Sequence, residues 1–413
     1  MSMRTFDNDY ALPALPLPAL DDTCAQIKRL IRPLVDDAVQ AETRQLLDDF
    51  AQGEGRRLQA LLAQWKGSLP APASWLRPIW DDMYLSFRGR LPIHMNYAFR
   101  FAGERWSAGE LPAVVAALAQ TVDSLRSGEL PPEKTRDGFL SMDTLESMIY
   151  SRIPDKRRDL LYYPPRNGGL SASVVCGGHW FLLSLTNESG ECLSPAALAK
   201  AFVQIRNLAA EARDGPPLGA MSCAGREDAA AIRSVLLQSL PNRIHLESLE
   251  KTIFTVCLDE PAERDFVARL IAGAPQNRWH DKSLQLITDG AALGVNIEHS
   301  GCDAGIWVYL LGQADRLLRE GLPAGAGEAH IQALRWDISE ELARLLAPAA
   351  GDYRAHADGM LFGKKRAESI SKAKIKALQC SPDAFVQILF QAAYYRLTGR
   401  FRSTYEASSK RRK

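Results

Sequence analysis

None of the seven cysteines, Cys24, Cys176, Cys192, Cys223, Cys257, Cys302 and Cys380, forms a C-x-x-C pair, and they are odd in number and widely spaced. That argues against a disulfide framework and a structural zinc site, and a reducing, cytoplasmic compartment is expected. Excess charge is lacking too: 50 Lys and Arg face 49 Asp and Glu, for a net charge of +1. No global field draws the chain toward nucleic acid or an anionic membrane. No apolar run is long enough to span a bilayer, so no transmembrane segment is expected. The opening "MSMRTFDNDY" is polar and acidic, unlike a signal peptide. The seven histidines contain no H-x-x-x-H or H-E-x-x-H spacing, so a local zinc motif is absent. Repeats and low-complexity tracts are absent.

What remains is an ordinary globular composition, 46% hydrophobic and 24% charged over 413 residues. That length suits two or three domains, or two lobes. The proline-punctuated "ALPALPLPAL" reads as extended chain. Helical patterning follows from Asp21 to about Trp65, with Leu30, Ile31, Leu34, Val35 and Val39 on one stripe, and a second amphipathic stretch starts near Trp75 and carries Trp80, Tyr84 and Phe87. The period then changes. "LLYYPP", "SASVVCGGHWFLLSL" and "KTIFTVCLD" read as strands. "SPAALAKAFVQIRNLAAEA" reads as a helix capped by Ser194, and "PAERDFVARLIAG" as one ended by Gly273. "SLQLITDGAALGVNIEHS" reads as a hairpin about Asp289-Gly290 whose second strand runs to His299. Helices are expected over Ile306 to Leu318 and, between Ser381 and Gly399, over "SPDAFVQILFQAAYYRLTG". The basic end "SSKRRK" reads as a solvated tail. Interleaved strands and helices make the class α/β or α+β with a mixed sheet.

"NIEHSGCDAG" holds the candidate for chemistry. His299 stands where a strand gives way to a helix, a junction at which a scaffold holds functional groups rigidly. Asp303, four positions on, can orient an imidazole or stabilise its cation. It can equally cap the helix beginning near Ala304, with His299 a buried histidine bonded to backbone. On the residues alone both readings stand.

The whole chain resembles the carnitine/choline acyltransferase family. The resemblance rests on "LPALPLPALDDT", "WLRPIWDDMYLSFRGRLP", "YSRIPDKRRDLLYY", "NRWHDKSLQLITDG", "NIEHSGCDAG" and "SPDAFVQILFQAAYYRLTGRFRSTYEAS", in the family's order and at similar spacing. It implies an α/β, chloramphenicol acetyltransferase-like two-lobe fold with mixed sheets. One lobe, 67–340, would carry the catalytic histidine. The other, 1–66 with 341–413, would be an incomplete second lobe with the coenzyme A and acceptor contacts. The implied reaction moves an acyl group between coenzyme A and a small hydroxyl acceptor, carnitine, choline or a relative. By the resemblance it proceeds in a ternary complex with coenzyme A as substrate, without metal, permanently bound cofactor or acyl-enzyme.

By the same resemblance His299 is the general base and Asp303 its acidic partner. Lys372 and Lys376 contact the 3′-phosphate of coenzyme A, Asp383 belongs to the same binding stretch, and Tyr405 reads the acceptor. Ala407 stands where the family carries a serine. Family members also continue well past the position of Lys413, with further acceptor-site residues. A truncated, non-catalytic homologue that binds coenzyme A or a partner chain is therefore the alternative expectation. Acyl chain length and the acceptor's identity are left open.

Overall fold

In the computed structural model the described residues are 4–70, 73–136, 138–212, 215–323, 325, 327–363, 365–402 and 404. They form two compact units: residues up to Leu12 with Leu76–Leu361, and Pro13–Trp75 with the chain from Phe362 onward.

The larger unit is built on a seven-stranded sheet. Its strands are β1 (Tyr97–Arg100), β2 (Ser171–Cys176), β3 (His179–Ser184), β4 (Thr255–Leu258), β5 (Leu284–Thr288), β6 (Leu293–Ile297) and β7 (Ile331–Leu334), in the spatial order β1-β6-β5-β4-β2-β3-β7. The β5–β4 and β4–β2 pairs are parallel and the other four antiparallel, so the sheet is mixed, as expected of the α/β class. Gly177 and Gly178, at φ 56° and 80°, close the β2–β3 hairpin with two residues, a turn that needs positive φ at both. In the β5–β6 turn Asp289 Oδ1 accepts from the backbone N–H of Ala291 and Ala292, at 3.0 and 2.8 Å.

Alternate residues of the central strands serve opposite layers. Val174, Val256, Leu286 and Val295 pack with Leu118, Leu198 and Leu310 of the helices Leu111–Arg126, Pro195–Ala210 and Ala304–Glu320. Val175, Cys257 and Ile287 pack with Ile232, Leu246 and Leu346 of the helices Arg226–Leu236, Leu240–Lys251 and Glu340–Asp358. Both faces of the sheet are covered, which is why its inner strands read as near-continuous apolar runs. Through Leu342, Leu346 and Ala350 the helix Glu340–Asp358 belongs to this unit's core. So does the N-terminal segment, where Thr5 Oγ1 donates to the Leu130 carbonyl at 2.8 Å and Asp9 Oδ1 accepts from the Met142 N–H at 2.8 Å.

In the smaller unit three helices, Leu20–Leu30, Asp37–Gln52 and Glu54–Ser68, pack together. They do not form the continuous stripe expected from Leu30 to Val39. Pro33 cannot extend a helix, and Asp36 starts a new one by accepting from the Val39 N–H at 3.0 Å. Leu30, Leu34 and Val39 are exposed in consequence. The same unit holds the short helix Lys372–Ala377 and the helix Pro382–Thr398, capped by Ser381 and ended by Gly399 in the left-handed conformation.

Candidate active site

Strand β6 stops at Ile297, two residues before His299, because Glu298 redirects the chain. Its carboxylate is fully buried and collects four hydrogen bonds. The Tyr150 hydroxyl donates to Oε2 at 2.6 Å, the Ser300 N–H to Oε2 at 2.9 Å, the Ser300 hydroxyl to Oε1 at 2.8 Å and the Arg152 guanidinium to Oε1 at 3.1 Å. The Tyr150 oxygen also accepts from the Gly301 N–H at 2.9 Å. Gly301 has to be glycine here, since a Cβ would sit 2.0 Å from the Tyr150 ring. The residues on both sides of His299 are thus clamped from inside.

The clamp continues into a buried ionic chain. Arg152 Nε donates to Asp159 Oδ2 at 2.6 Å, Arg226 Nε donates to the same oxygen at 2.6 Å, and Arg226 Nη2 lies 2.8 Å from Asp281 Oδ1. Burial pushes Asp281 up to about 6 against the pull of Arg226. The neighbouring Lys282 is buried too; its ammonium donates to Ser151 Oγ at 2.9 Å and to the Glu250 carbonyl at 3.0 Å.

Burial lowers the Lys282 pKa from 10.5 to about 7. The unfolded chain therefore binds the extra proton between those values, and stability should rise with pH across that window. Below it the cost of burying the charge is fully present. Urea unfolding at pH 7 and pH 9 should show wild type gaining up to roughly 2 kcal/mol relative to Lys282→Met. Parallel pH profiles for the two proteins would contradict a charged, desolvated Lys282.

His299 itself keeps 17% of its side chain accessible. Three rings meet its imidazole edge-on: Tyr84 and Tyr97, each with its centroid 5.1 Å away, and Trp80 at 5.9 Å. Trp80 is tied down by donating from Nε1 to the Ser300 carbonyl at 2.9 Å. Burial, helped by Cys302, Asp303 and Glu298, raises the Tyr97 pKa, so its phenol stays protonated.

The two readings of Asp303 turn out to be compatible. Its Oδ1 accepts from the Ala304 N–H at 2.7 Å, capping the helix Ala304–Glu320, and lies 3.5 Å from His299 Nε2. The segment between the two residues is not helical, so the approach comes from the cap geometry rather than a shared helix face. The imidazole beside it, followed by the helix N–H, outweighs partial burial and holds the Asp303 carboxyl below its ordinary range.

Residues 15–412 match the family model described as Choline/Carnitine o-acyltransferase. The chain belongs to that family. It is 28% identical to a choline O-acetyltransferase of Sus scrofa, over 98% of this chain and 68% of the relative. It is 29% identical to the Drosophila melanogaster choline O-acetyltransferase, over 100% and 64%. It is 30% identical to the muscle isoform of carnitine O-palmitoyltransferase 1 of Rattus norvegicus, over 97% and 55%. The chain thus spans between 55% and 68% of these relatives' own lengths. A solved chloramphenicol acetyltransferase matches 59% of this chain and 96% of its own at 10% identity and a TM-score of 0.24, a likeness too slight to add to what the sheet shows.

The other residues singled out in this acyltransferase-family sequence lie in the smaller unit. Lys372 and Lys376 are one helical turn apart on the helix Lys372–Ala377, both exposed, and neither pairs with a carboxylate among the described residues. Asp383 is exposed in the first turn of the helix Pro382–Thr398. Tyr405 and Ala407 lie outside the described residues. Sequence reasoning missed the Tyr150–Arg152–Glu298 clamp and the role of Tyr97 beside the histidine. Tyr150 and Arg152 stand in the quoted "YSRIP", but 148 and 146 residues from Glu298 no local period links them.

Proposed function

We propose that this chain is an O-acyltransferase that moves an acyl group between coenzyme A and the hydroxyl of a carnitine- or choline-like acceptor, with His299 as general base. The observation that carries the reading is a partly accessible imidazole on an internally clamped strand end, with a carboxylate at 3.5 Å. An alcohol must lose its proton as it attacks a thioester, and an imidazole can take that proton. The alcohol oxygen bonds to the carbonyl carbon, the C–S bond breaks, and the imidazolium returns the proton to the leaving thiolate. Where Nε2–H donates to Asp303, the accepting lone pair is on Nδ1.

The neighbouring side chains favour direct transfer over an acyl-enzyme. Cys302 is 3% exposed and burial pushes its thiol up to about 12, so it is a poor nucleophile. The Ser300 hydroxyl is fully buried and committed to Glu298. Aromatic rings beside the histidine, Trp80 and Tyr97 among them, are the kind of side chain that attracts a quaternary ammonium such as carnitine and choline carry. The test is release of coenzyme A thiol from acetyl-coenzyme A with carnitine, with choline and with neither. Acceptor-dependent release is expected; release at one rate in all three would indicate hydrolysis instead.

Lys372 and Lys376 fit a phosphate, since two ammonium groups on one helical face have no carboxylate partner among the described residues. Replacing both by alanine should weaken coenzyme A binding by about two- to thirtyfold, each exposed contact contributing roughly 0.2–1 kcal/mol. Dephospho-coenzyme A should bind both proteins alike. Equal losses for the two ligands would reject the 3′-phosphate role.

A further inference from the structure

A second pair of histidines meets where the acyl-transfer chemistry has no use for it. His94 lies in the turn between the helix Leu76–Leu85 and strand β1, and His356 in the last turn of the helix Glu340–Asp358, both within the larger unit. Their Nε2 atoms are 3.0 Å apart, with ring centroids at 5.0 Å and planes inclined by 33°. Two protonated imidazoles would repel at that distance. Two neutral rings can meet in this way as donor and acceptor, or both can turn their lone pairs on one cation.

The spacing is that of a hydrogen bond, and it is also one that the second arrangement can use. A zinc–nitrogen bond of about 2.0–2.1 Å places two ligating nitrogens about 2.9 Å apart at a right angle and about 3.3 Å apart at the tetrahedral angle. The observed 3.0 Å falls between them. The turn that presents His94 is also pre-shaped. Ile93, just before it, has φ 73°, a conformation a β-branched residue adopts only under constraint. The N–H groups of Met95 and Asn96 both donate to the Leu91 carbonyl, at 2.9 and 3.0 Å. The Asn96 amide donates to the His280 carbonyl and to Asn296 Oδ1, each at 3.0 Å. Little rearrangement is needed for the imidazole to meet an ion.

The geometry points to a two-histidine site, His94 with His356, for a borderline-soft divalent transition ion such as Zn²⁺, Ni²⁺ or Cu²⁺, its remaining positions filled by water. Mg²⁺ and Ca²⁺ prefer oxygen ligands and should not bind there. Among the described residues no three His, Cys, Asp or Glu side chains converge on a metal position, so the two imidazoles are the only ligands that these residues offer there. The two histidines are 262 residues apart in the chain, and no spacing pattern could reveal them. A bound ion would brace the segment that delivers Tyr97 to the His299 ring.

The test titrates the full chain, free of added histidines, with NiCl₂ and with MgCl₂ in a calorimeter, and records the electron paramagnetic resonance spectrum of the Cu²⁺ form. One Ni²⁺ per chain is expected, weakened at least about tenfold by His94→Ala and by His356→Ala, with no response to Mg²⁺. The Cu²⁺ spectrum should show two equatorial nitrogens in wild type and lose one in each variant. Absence of saturable Ni²⁺ binding would overturn the site. So would binding that survives both substitutions, as ligation by the exposed Cys380 thiol would give. A wild-type Cu²⁺ spectrum without two nitrogen couplings overturns it independently of how the variants fold.

Discussion

Replacing His299 by alanine should lower acceptor-dependent thiol release by roughly two to four orders of magnitude, the usual contribution of a positioned general base. The fold should survive, because the clamp beneath the histidine is made by its neighbours. Glu298 and Ser300 carry the buried hydrogen bonds, whereas among the described residues the imidazole meets three aromatic rings and Asp303. Circular dichroism and urea midpoints close to wild type, with kcat lost, would be the matching pair of observations. Asp303→Asn should be milder on both counts. Asparagine is as good a helix cap as aspartate, and its amide oxygen can still face Nε2. What it loses is the charge that stabilises the imidazolium. An alanine variant at 299 with near-wild-type turnover would remove His299 from the mechanism.

The parts of the fold that local rules govern were legible in the sequence. Ser194 and Ser381 cap the helices they were expected to cap, and Gly399 ends one in the left-handed region that glycine tolerates. The Asp289-Gly290 hairpin forms because its turn needs a side-chain acceptor and a positive φ, both written in two residues. The Leu30–Val39 stripe failed for an equally local reason, since apolar periodicity was followed across Pro33. The helix expected to run to Gly273 spans only Phe266–Ile271, beginning at the Asp265 cap. Around His299 the sequence showed the histidine, the aspartate and the choice between cap and partner. It could not show that one oxygen takes both positions, because that depends on where a non-helical segment delivers the imidazole. Nor could it show why the strand end is rigid. That rests on a tyrosine and an arginine brought in from far along the chain.

That arginine makes the largest stability prediction. The Arg152 side chain has no accessible surface, and it binds Glu298, Asp159, the Ser300 hydroxyl and the Tyr84 carbonyl. Arg152→Met keeps most of the volume but leaves Glu298 without its cation and Asp159 dependent on Arg226 and Arg88. Removing one partner of a buried ion pair costs about 3–5 kcal/mol, since the remaining charge is neither solvated nor compensated. A domain is stable by only about 5–15 kcal/mol in total, so the loss should be plain in a urea titration. The double variant Arg152→Met with Glu298→Gln should recover part of it, because no uncompensated charge then remains at Glu298, and the recovery measures the coupling. Activity supplies the second readout. With the clamp loosened, His299 is no longer held by the strand end, so kcat should fall while KM changes little. A loss below about 1 kcal/mol, the range of an exposed pair, would mean that water reaches these charges and that the clamp is not what fixes the histidine.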